Sequence, residues 1–547
     1  MKVKLISFVF SETGFRRNRI ILTMMLAGIT NGMVMLIIND VSKDFNEINL
    51  RNILLFALCI GAFVFCRKYS EYHAQSGVQQ AISNKHLTLI DKLRKSELVH
   101  YEKIGKMSII TNITDNSQII YESTRLMVHS MTASIMLLFS FGYIAYLSLA
   151  AFAMCVVILG IGIVIYKHGQ KDIIRLYHEF QEKDQLFFES LNHFLDGFKE
   201  IKINLKRSDD IYQNEFSRNI DDSLVLKFQS EKKVVSNMVF GQTMFFLLMA
   251  GIVFLLPQID DIESETMMSI TAIVLFISGA IGLLIESIPM IIKADMALDN
   301  LVHLEAKLDE SKEPDQHACS DRYKDFKELS LDELHYDYVN AQGQAMFGIG
   351  PMHFALKRGE ITFIVGGNGS GKTTLLKNLT GLYSPKSGHI KVDNKIVEVS
   401  NYNDFRSLFS IVLTDFHLFD KLYGLDHLDG KKVNELLKKL QVDHKTRFEN
   451  GRFTNLDLST GQRKRIALIV ALLEDKPVVV FDEVAADQDP EFRDFYYHDI
   501  LPELKKANKM VLVVSHDDRY FDVADTLIKL EYGKVVKLEV NGDKQHD

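Results

Sequence analysis

Ile361-Thr362-Phe363-Ile364-Val365-Gly366-Gly367-Asn368-Gly369-Ser370-Gly371-Lys372-Thr373-Thr374 is the stretch that decides the reading of this 547-residue chain. Its first five residues are apolar and largely β-branched, as in a strand buried on both faces. A run of glycines follows, and after Thr374 the sequence LLKNLTGL is helical in pattern. Strand, glycine-rich loop and helix is the context that the pattern G-x-x-x-x-G-K-T requires. Gly366, Asn368, Gly369, Ser370 and Gly371 let the backbone wrap a phosphate, so that N–H groups and the helix start point at the anion. Lys372 then reaches the β- and γ-phosphates of a nucleotide, the Thr373 hydroxyl ligates Mg²⁺, and Thr374 opens the helix.

Two further patterns lie downstream. Val478-Val479-Val480-Phe481 is a continuous apolar run ending in Asp482 and Glu483, which suits a central strand of a parallel sheet. Asp482 at its end can hold Mg²⁺ through water, and Glu483 can polarise an attacking water. Leu458-Ser459-Thr460-Gly461-Gln462 precedes the amphipathic segment RKRIALIVALL. Ser459 and Gln462 have capping-box spacing, and a capped helix start is also an anion site.

Taken with the phosphate loop, the L-S-x-G-Q stretch resembles the signature motif of ATP-binding cassette (ABC) proteins. The resemblance implies ATP and Mg²⁺ as ligands, with Ser459, Gly461 and Gln462 closing over ATP held by the opposite subunit. It also implies a D-loop position for Asp489, a switch histidine at His516 and an adenine-stacking aromatic at Tyr338, with Tyr336 two residues earlier as the alternative. His516 and Glu483 are the expected catalytic pair.

Away from this region the chain changes character. Apolar runs occupy residues 20–38, 52–66, 126–148, 149–166, 238–256 and 267–292, most of them near the roughly 20 residues that cross a bilayer. The second run is short, so its helix is expected to continue past Arg67. The third and fourth abut, which demands a very tight turn. Segment 67–125 carries nine Lys/Arg and 167–237 carries twelve, whereas 257–266 has four acidic residues and no basic one. By the positive-inside rule both termini and both long loops face the cytoplasm. The loops are polar and helix-patterned, so the spans should run on well beyond the membrane. Their turns, residues 101–108 with Gly105 and Lys106, and residues 197–210, are the expected contacts with the C-terminal domain.

Sixty-three basic against 71 acidic side chains give a net charge of −8, with no basic surface for a nucleic acid. Cys59, Cys66 and Cys155 lie in apolar runs and Cys319 in a polar segment, so no disulfide framework is expected. The boundaries read as a transmembrane domain over 1–308, a linker over 309–325 and a cassette over 326–547. The fold class is a membrane all-α six-helix exporter domain fused to a cytoplasmic α/β P-loop ATPase.

Six spans followed by one cassette resemble an ABC exporter half-transporter, and each motif present once implies a homodimer. Residues 348–356, 412–420 (VLTDFHLFD) and 482–493 (DEVAADQDPEFR) resemble the cyclic-peptide, siderophore and microcin exporters, including the bacterial exporters of microcin J25 and pyoverdine-type peptides. That implies peptide-like cargo and residence in a bacterial inner membrane. Export of a bilayer component, as by a lipid or lipid-linked-glycan flippase, is the alternative, and a non-transporting membrane-anchored ATPase a remote third. The chain departs from the ABC pattern at Thr414, where a glutamine that touches Mg²⁺ is usual, and at Thr460, where glycine is usual. Glu286 and His129 are the ionisable residues in the spans that could face a cargo cavity, since buried charge is costly.

Overall fold

The computed structural model describes residues 4–5, 8, 17–43, 50–313, 322–323, 325–340, 344–425 and 427–540. Cys319 and most of the 309–325 linker therefore lie outside the described residues. The chain divides into two compact units. One comprises Met1–Arg94 and Ile104–Glu310, the other Lys95–Lys103 and Ser311–Asp547.

Among its described residues the first unit has six helices long and apolar enough to cross a membrane: α1 (Arg17–Lys43), α2 (Leu50–Arg94), α3 (Lys106–Leu147), α4 (Leu149–Asp196), α5 (Leu205–Ile259) and α6 (Ser264–Glu310). The last five have 42 to 55 residues, about 63–83 Å of helix against about 30 Å of hydrocarbon. As the short second run demanded, α2 continues for 27 residues past Arg67. The tight turn between the third and fourth runs is a single residue: Ser148 is extended, ends α3 and starts α4, and its hydroxyl accepts from Ala151 N–H. Its Oγ also donates to Asp260 at 2.9 Å.

Packing sorts the six into two groups. α1, α2, α3 and α6 pack on one another, while α4 pairs chiefly with α5. Buried residues from α3, α4, α5 and α6, among them Met136, Ile144, Leu248, Ile273 and Ile277, form one core. Leu138, Leu149, Val164, Phe246 and Phe254 stay exposed, an apolar outer surface that a bilayer would cover. Pro289 lies inside α6 and cannot donate to the carbonyl four residues earlier. That carbonyl, Ile285 O, accepts instead from the Tyr166 hydroxyl of α4 at 3.3 Å.

The second unit is α/β. An antiparallel sheet has the order β2–β1–β4–β5, from β1 (Glu328–Val339), β2 (Ala345–Lys357), β4 (Ser387–Val392) and β5 (Lys395–Ile396). The six-stranded sheet runs β12–β11–β3–β10–β9–β6, with β3 (Ile361–Val365), β6 (Phe409–Val412), β9 (Val478–Asp482), β10 (Met510–Val514), β11 (Thr526–Glu531) and β12 (Lys534–Val540). β7 (Phe448–Glu449) and β8 (Arg452–Phe453) make a small hairpin. In the larger sheet the pairs from β11 to β6 are parallel and only β12 is antiparallel. β3, β9 and β10 are buried along their whole lengths, as continuous apolar runs in a covered parallel sheet must be. Helix α7 (Lys372–Leu379) follows β3, and α8 (Thr460–Glu474) precedes β9.

Candidate active site

Parallel pairing of β3 with β10 and of β10 with β9 brings three strand ends together, so the loops after Val365, Asp482 and Val514 meet at one edge of the sheet. The phosphate loop leaves β3 at Gly366, where a Cβ would sit 2.4 Å from Leu530 O. Gly371 caps α7 at φ +100°, and a Cβ there would meet Ile349 at 2.7 Å. Both positions exclude any side chain. Among the described residues the buried Ser370 hydroxyl has no hydrogen-bond partner, an orphan of the kind a bound oxyanion would satisfy. Lys372 Nζ donates to Gly366 O at 2.9 Å and to Gly367 O at 3.1 Å, so the ammonium lies within the loop. Burial pulls its pKa down, against the charges of Glu483 and Asp482. Donors converging on a rigid cradle fit a phosphate.

Asp482 is 2% exposed. Its Oδ2 accepts from Thr414 Oγ1 at 2.9 Å, and burial, with the neighbouring Glu483 charge, pushes its carboxyl above the usual range. A buried, underpaired carboxylate beside Lys372 fits a hard cation with oxygen ligands. The contact also gives Thr414 a place: with no glutamine at that position, a shorter hydroxyl orients the carboxylate directly. Glu483 holds a left-handed backbone at φ +52°, a strained conformation for a residue with a β-carbon. Its N–H donates to Val514 O at 3.1 Å, and Lys464 Nζ donates to its carbonyl at 2.8 Å. His516 Nε2 lies 3.2 Å from Glu483 Oε1, so these two expected partners are brought together.

Tyr336 is buried in the core, where desolvation raises its pKa to about 12. Tyr338 is half-buried, and its hydroxyl lies 3.5 Å from Thr374 Oγ1. Of the two, Tyr338 stands at the start of α7 beside the phosphate loop.

Ser459, Gly461 and Gln462 lie at the start of α8, and the capping box is complete: Ser459 N–H donates to Gln462 Oε1 and Gln462 N–H to Ser459 Oγ. With Asp489 they line an open cavity of about 530 Å³. Asp489 caps the helix Pro490–Phe495 by accepting from Phe492 N–H at 2.8 Å. That bond, with Arg465 alongside, holds its carboxyl below the usual range.

Sequence reasoning missed the residues that fix this edge. Arg465 is buried; it pairs with Asp489, donates to Gln488 Oε1 at 2.8 Å and stacks 3.8 Å over Phe492. Gln488 in turn donates to Gly461 O at 3.0 Å. Lys464 also pairs with Asp487 at 2.6 Å. The available signal was two cations, Lys464 and Arg465, directly before the apolar run IALIVALL. Buried there, they had to find partners.

Lys95–Lys103 was also missed in part. It groups with this unit, and Glu102 accepts from the Tyr383 hydroxyl at 2.6 Å and from Lys377 of α7 at 2.9 Å. Tyr383 stacks on Tyr336 and meets Tyr338 edge-on. Gly105 caps α3, and Gly105, Lys106 and residues 197–210 group with the first unit.

Residues 349–486 match the family model described as ABC transporter. Over 537 residues the chain is 30% identical to the ATP-binding protein SyrD of Pseudomonas syringae pv. syringae, covering 94% of this chain and 93% of that one. The chain belongs to the ABC transporter family. A probable ABC transporter ATP-binding/permease protein of Haemophilus influenzae is 24% identical over 93% of both chains. An ATP-dependent lipid A-core flippase of Vibrio vulnificus is 30% identical over 38% of this chain and 37% of its own. A bacterial Atm1-family ABC exporter solved with ATP bound shares the fold, with a TM-score of 0.80 at 16% identity over 97% of this chain and 96% of that one. This ABC transporter is a multi-pass membrane protein with the exporter fold, and its cassette hydrolyses ATP in support of transport.

Proposed function

We propose that the chain is a homodimeric exporter of a peptide-like metabolite (a cyclic or modified peptide, an antimicrobial peptide or a siderophore) from the cytoplasm across a bacterial inner membrane. In this reading residues 1–308 form the transmembrane domain and 326–547 the cassette. The peptide class rests on the resemblance of residues 348–356, 412–420 and 482–493 to cyclic-peptide exporters; the observation that weighs against a lipid cargo is a contrast of extent, since the likeness to the SyrD protein covers 94% of this chain and that to the lipid A-core flippase 38%. Cargo is chosen by the membrane helices, so a relative that matches them weighs more. The flippase reading is the second one, favoured by those part-length relatives.

Each ATP would lie on the loop Gly366–Thr374 of one copy, with Tyr338 against its adenine and Lys372 on its phosphates. Ser459, Gly461, Gln462 and Asp489 of the other copy would close the site. Thr373 and Asp482 would hold Mg²⁺, which neutralises phosphate charge when bound. Glu483 takes the proton of the attacking water, whose oxygen forms the new bond to the γ-phosphorus as the bond to ADP breaks. His516, 3.2 Å from Glu483, orients that carboxylate and the γ-phosphate. Exposed Ile203, Leu205 and Tyr212 at the turn after α4 are an apolar surface a second copy would cover.

The test is ATP hydrolysis by the purified chain in nanodiscs, with Glu483→Gln as the blank, against cyclic and siderophore peptides and against lipid-linked substrates. Stimulation by peptides supports export of peptides. Stimulation by the lipid panel alone replaces it with the flippase reading.

A further inference from the structure

Within the first unit a cavity of about 250 Å³ opens between α1, α2, α3 and α6, lined among others by Asn31, Phe63, Arg67, His129, Met136 and Phe276. Its polar groups come from three different helices. Arg67 Nε donates to Glu71 Oε1 at 2.7 Å, and the guanidinium sits 5.7 Å over the Phe63 ring. Buried His129 Nε2 lies 2.7 Å from the same Glu71 oxygen, so the arginine and the imidazole share one carboxylate. The Asn31 amide donates to Met136 Sδ at 3.2 Å, a weak acceptor that a carboxylate would displace. Ionisable groups inside membrane helices are costly and mark function. Simple packing does not account for an arginine and an imidazole sharing one carboxylate, beside an underused amide, around one void.

We propose that this cavity is a cargo contact and that Arg67, His129 and Asn31 take a carboxylate of the peptide there, with Glu71 holding the two basic groups in place. The inference rests on the export reading above and deepens it. Charge decides the ligand class. Arg67 contributes +1, Glu71 −1 and His129 zero or +1, so the cluster offers between zero and one net positive charge. That suits a singly charged carboxylate, which an arginine fork binds in two places, better than a doubly charged phosphate. Size points the same way: about 250 Å³ is below the roughly 300–1,000 Å³ of pockets that enclose a whole small ligand, so the cavity takes one end or side chain of a larger cargo. Depth fits entry from inside. Arg67 is about 26 Å along α2 from Leu50, and His129 about 27 Å along α3 from Leu147, which places both at the cytoplasmic side of the hydrocarbon in the orientation read from the loops. Gly279 of α6 also lines the cavity, and a Cβ there would meet nothing within 4 Å.

The chain contains no tryptophan, so Phe63→Trp creates a single fluorophore in the wall and keeps an aromatic ring under Arg67. The full chain in phosphatidylcholine nanodiscs is titrated with a cyclic decapeptide bearing two aspartates, with its dimethyl ester, and with phosphatidic acid in the bilayer. ATP hydrolysis by the unsubstituted chain is measured alongside. The acidic peptide should quench the tryptophan and stimulate hydrolysis, with the ester about tenfold weaker or more. Arg67→Gln should erase the difference between acid and ester, His129→Gln should narrow it, and Gly279→Leu, whose Cβ has open space and whose side chain would occupy the void, should weaken both peptides. If acid and ester stimulate equally and Arg67→Gln changes nothing, peptide export stands and the carboxylate site falls. If phosphatidic acid alone stimulates, in an Arg67-dependent way, the anion is a lipid phosphate, and both the peptide cargo and this proposal are overturned. If none of the three acts, both fall as well.

Discussion

The two units of this transporter carry their chemistry in opposite ways. In the cassette, the loop proposed to cradle phosphate is nine consecutive residues, 366–374, whose path is set by Gly366 and Gly371. In the membrane unit, the polar cavity takes Asn31 from α1, Arg67 from α2 and His129 from α3, with only side chains for contact. The contrast follows from the ligands. A phosphate chain has one shape and is grasped by a loop of fixed geometry, whereas a cargo is met by whatever side chains a helix bundle turns toward a common void. Local sequence therefore identifies the first site, and only packing identifies the second.

The comparison can be broken or sharpened by substitution. Glu483→Gln should lower ATP hydrolysis by about 10²–10⁴-fold, the usual worth of a positioned general base, with nucleotide binding retained; phosphate release and a fluorescent-nucleotide titration measure the two. An undiminished rate would remove Glu483 from the chemistry. Arg465→Ala removes the buried donor to Gln488 and the partner of the half-exposed Asp489 and should cost about 1–3 kcal/mol, read from denaturant unfolding of the solubilised chain. A neutral result would mean that the signature helix does not depend on this residue. Tyr383→Phe removes the bond to Glu102 and should cost about 1 kcal/mol while raising the KM for ATP, since Tyr383 packs on Tyr338; unchanged kinetics would make Lys95–Lys103 a passive attachment.

In the membrane unit the matching test is Tyr166→Phe. It orphans the Ile285 carbonyl freed by Pro289 and should cost about 1 kcal/mol, detectable as faster inactivation on heating in detergent. The smallest effect concerns pH. Asp489 titrates below the ordinary carboxylate range, so its stabilising contribution is complete above about pH 4 and is lost as pH falls through the depressed value. Asp489→Asn, which keeps a capping side chain, should flatten that part of the acid-unfolding curve and leave neutral pH less affected.

Legibility followed the same division. The buried strands Ile361–Val365 and Val478–Asp482 were implied by their continuous apolar runs, and the six long helices by apolar length and loop charge. Ser148 as a one-residue joint was foreseeable because two apolar runs left no room for a loop. Thr414 could be noticed as a departure, but its bond to Asp482 could not, because 68 residues separate them and strand pairing alone brings them together. Arg465 looked like one more charge on an amphipathic helix. His129 was recognisable as an ionisable residue in a span, while its neighbours Arg67 and Asn31 stand at the margin or middle of other spans and carry no local signature. Glu286, equally conspicuous in sequence, is exposed and does not line the cavity.

By itself the sequence determined which segments are long and apolar enough to span a bilayer and where the glycine-rich loop lies between strand and helix, because helix length and backbone conformation are local properties. The tertiary structure alone decided that Thr414 bonds Asp482, that Arg465 and Gln488 tie Asp489 to the start of α8, that Glu102 belongs with Tyr383, and that Arg67, His129 and Asn31 share one cavity. Each of these depends on which faces of distant elements meet, and that is set by packing the whole unit.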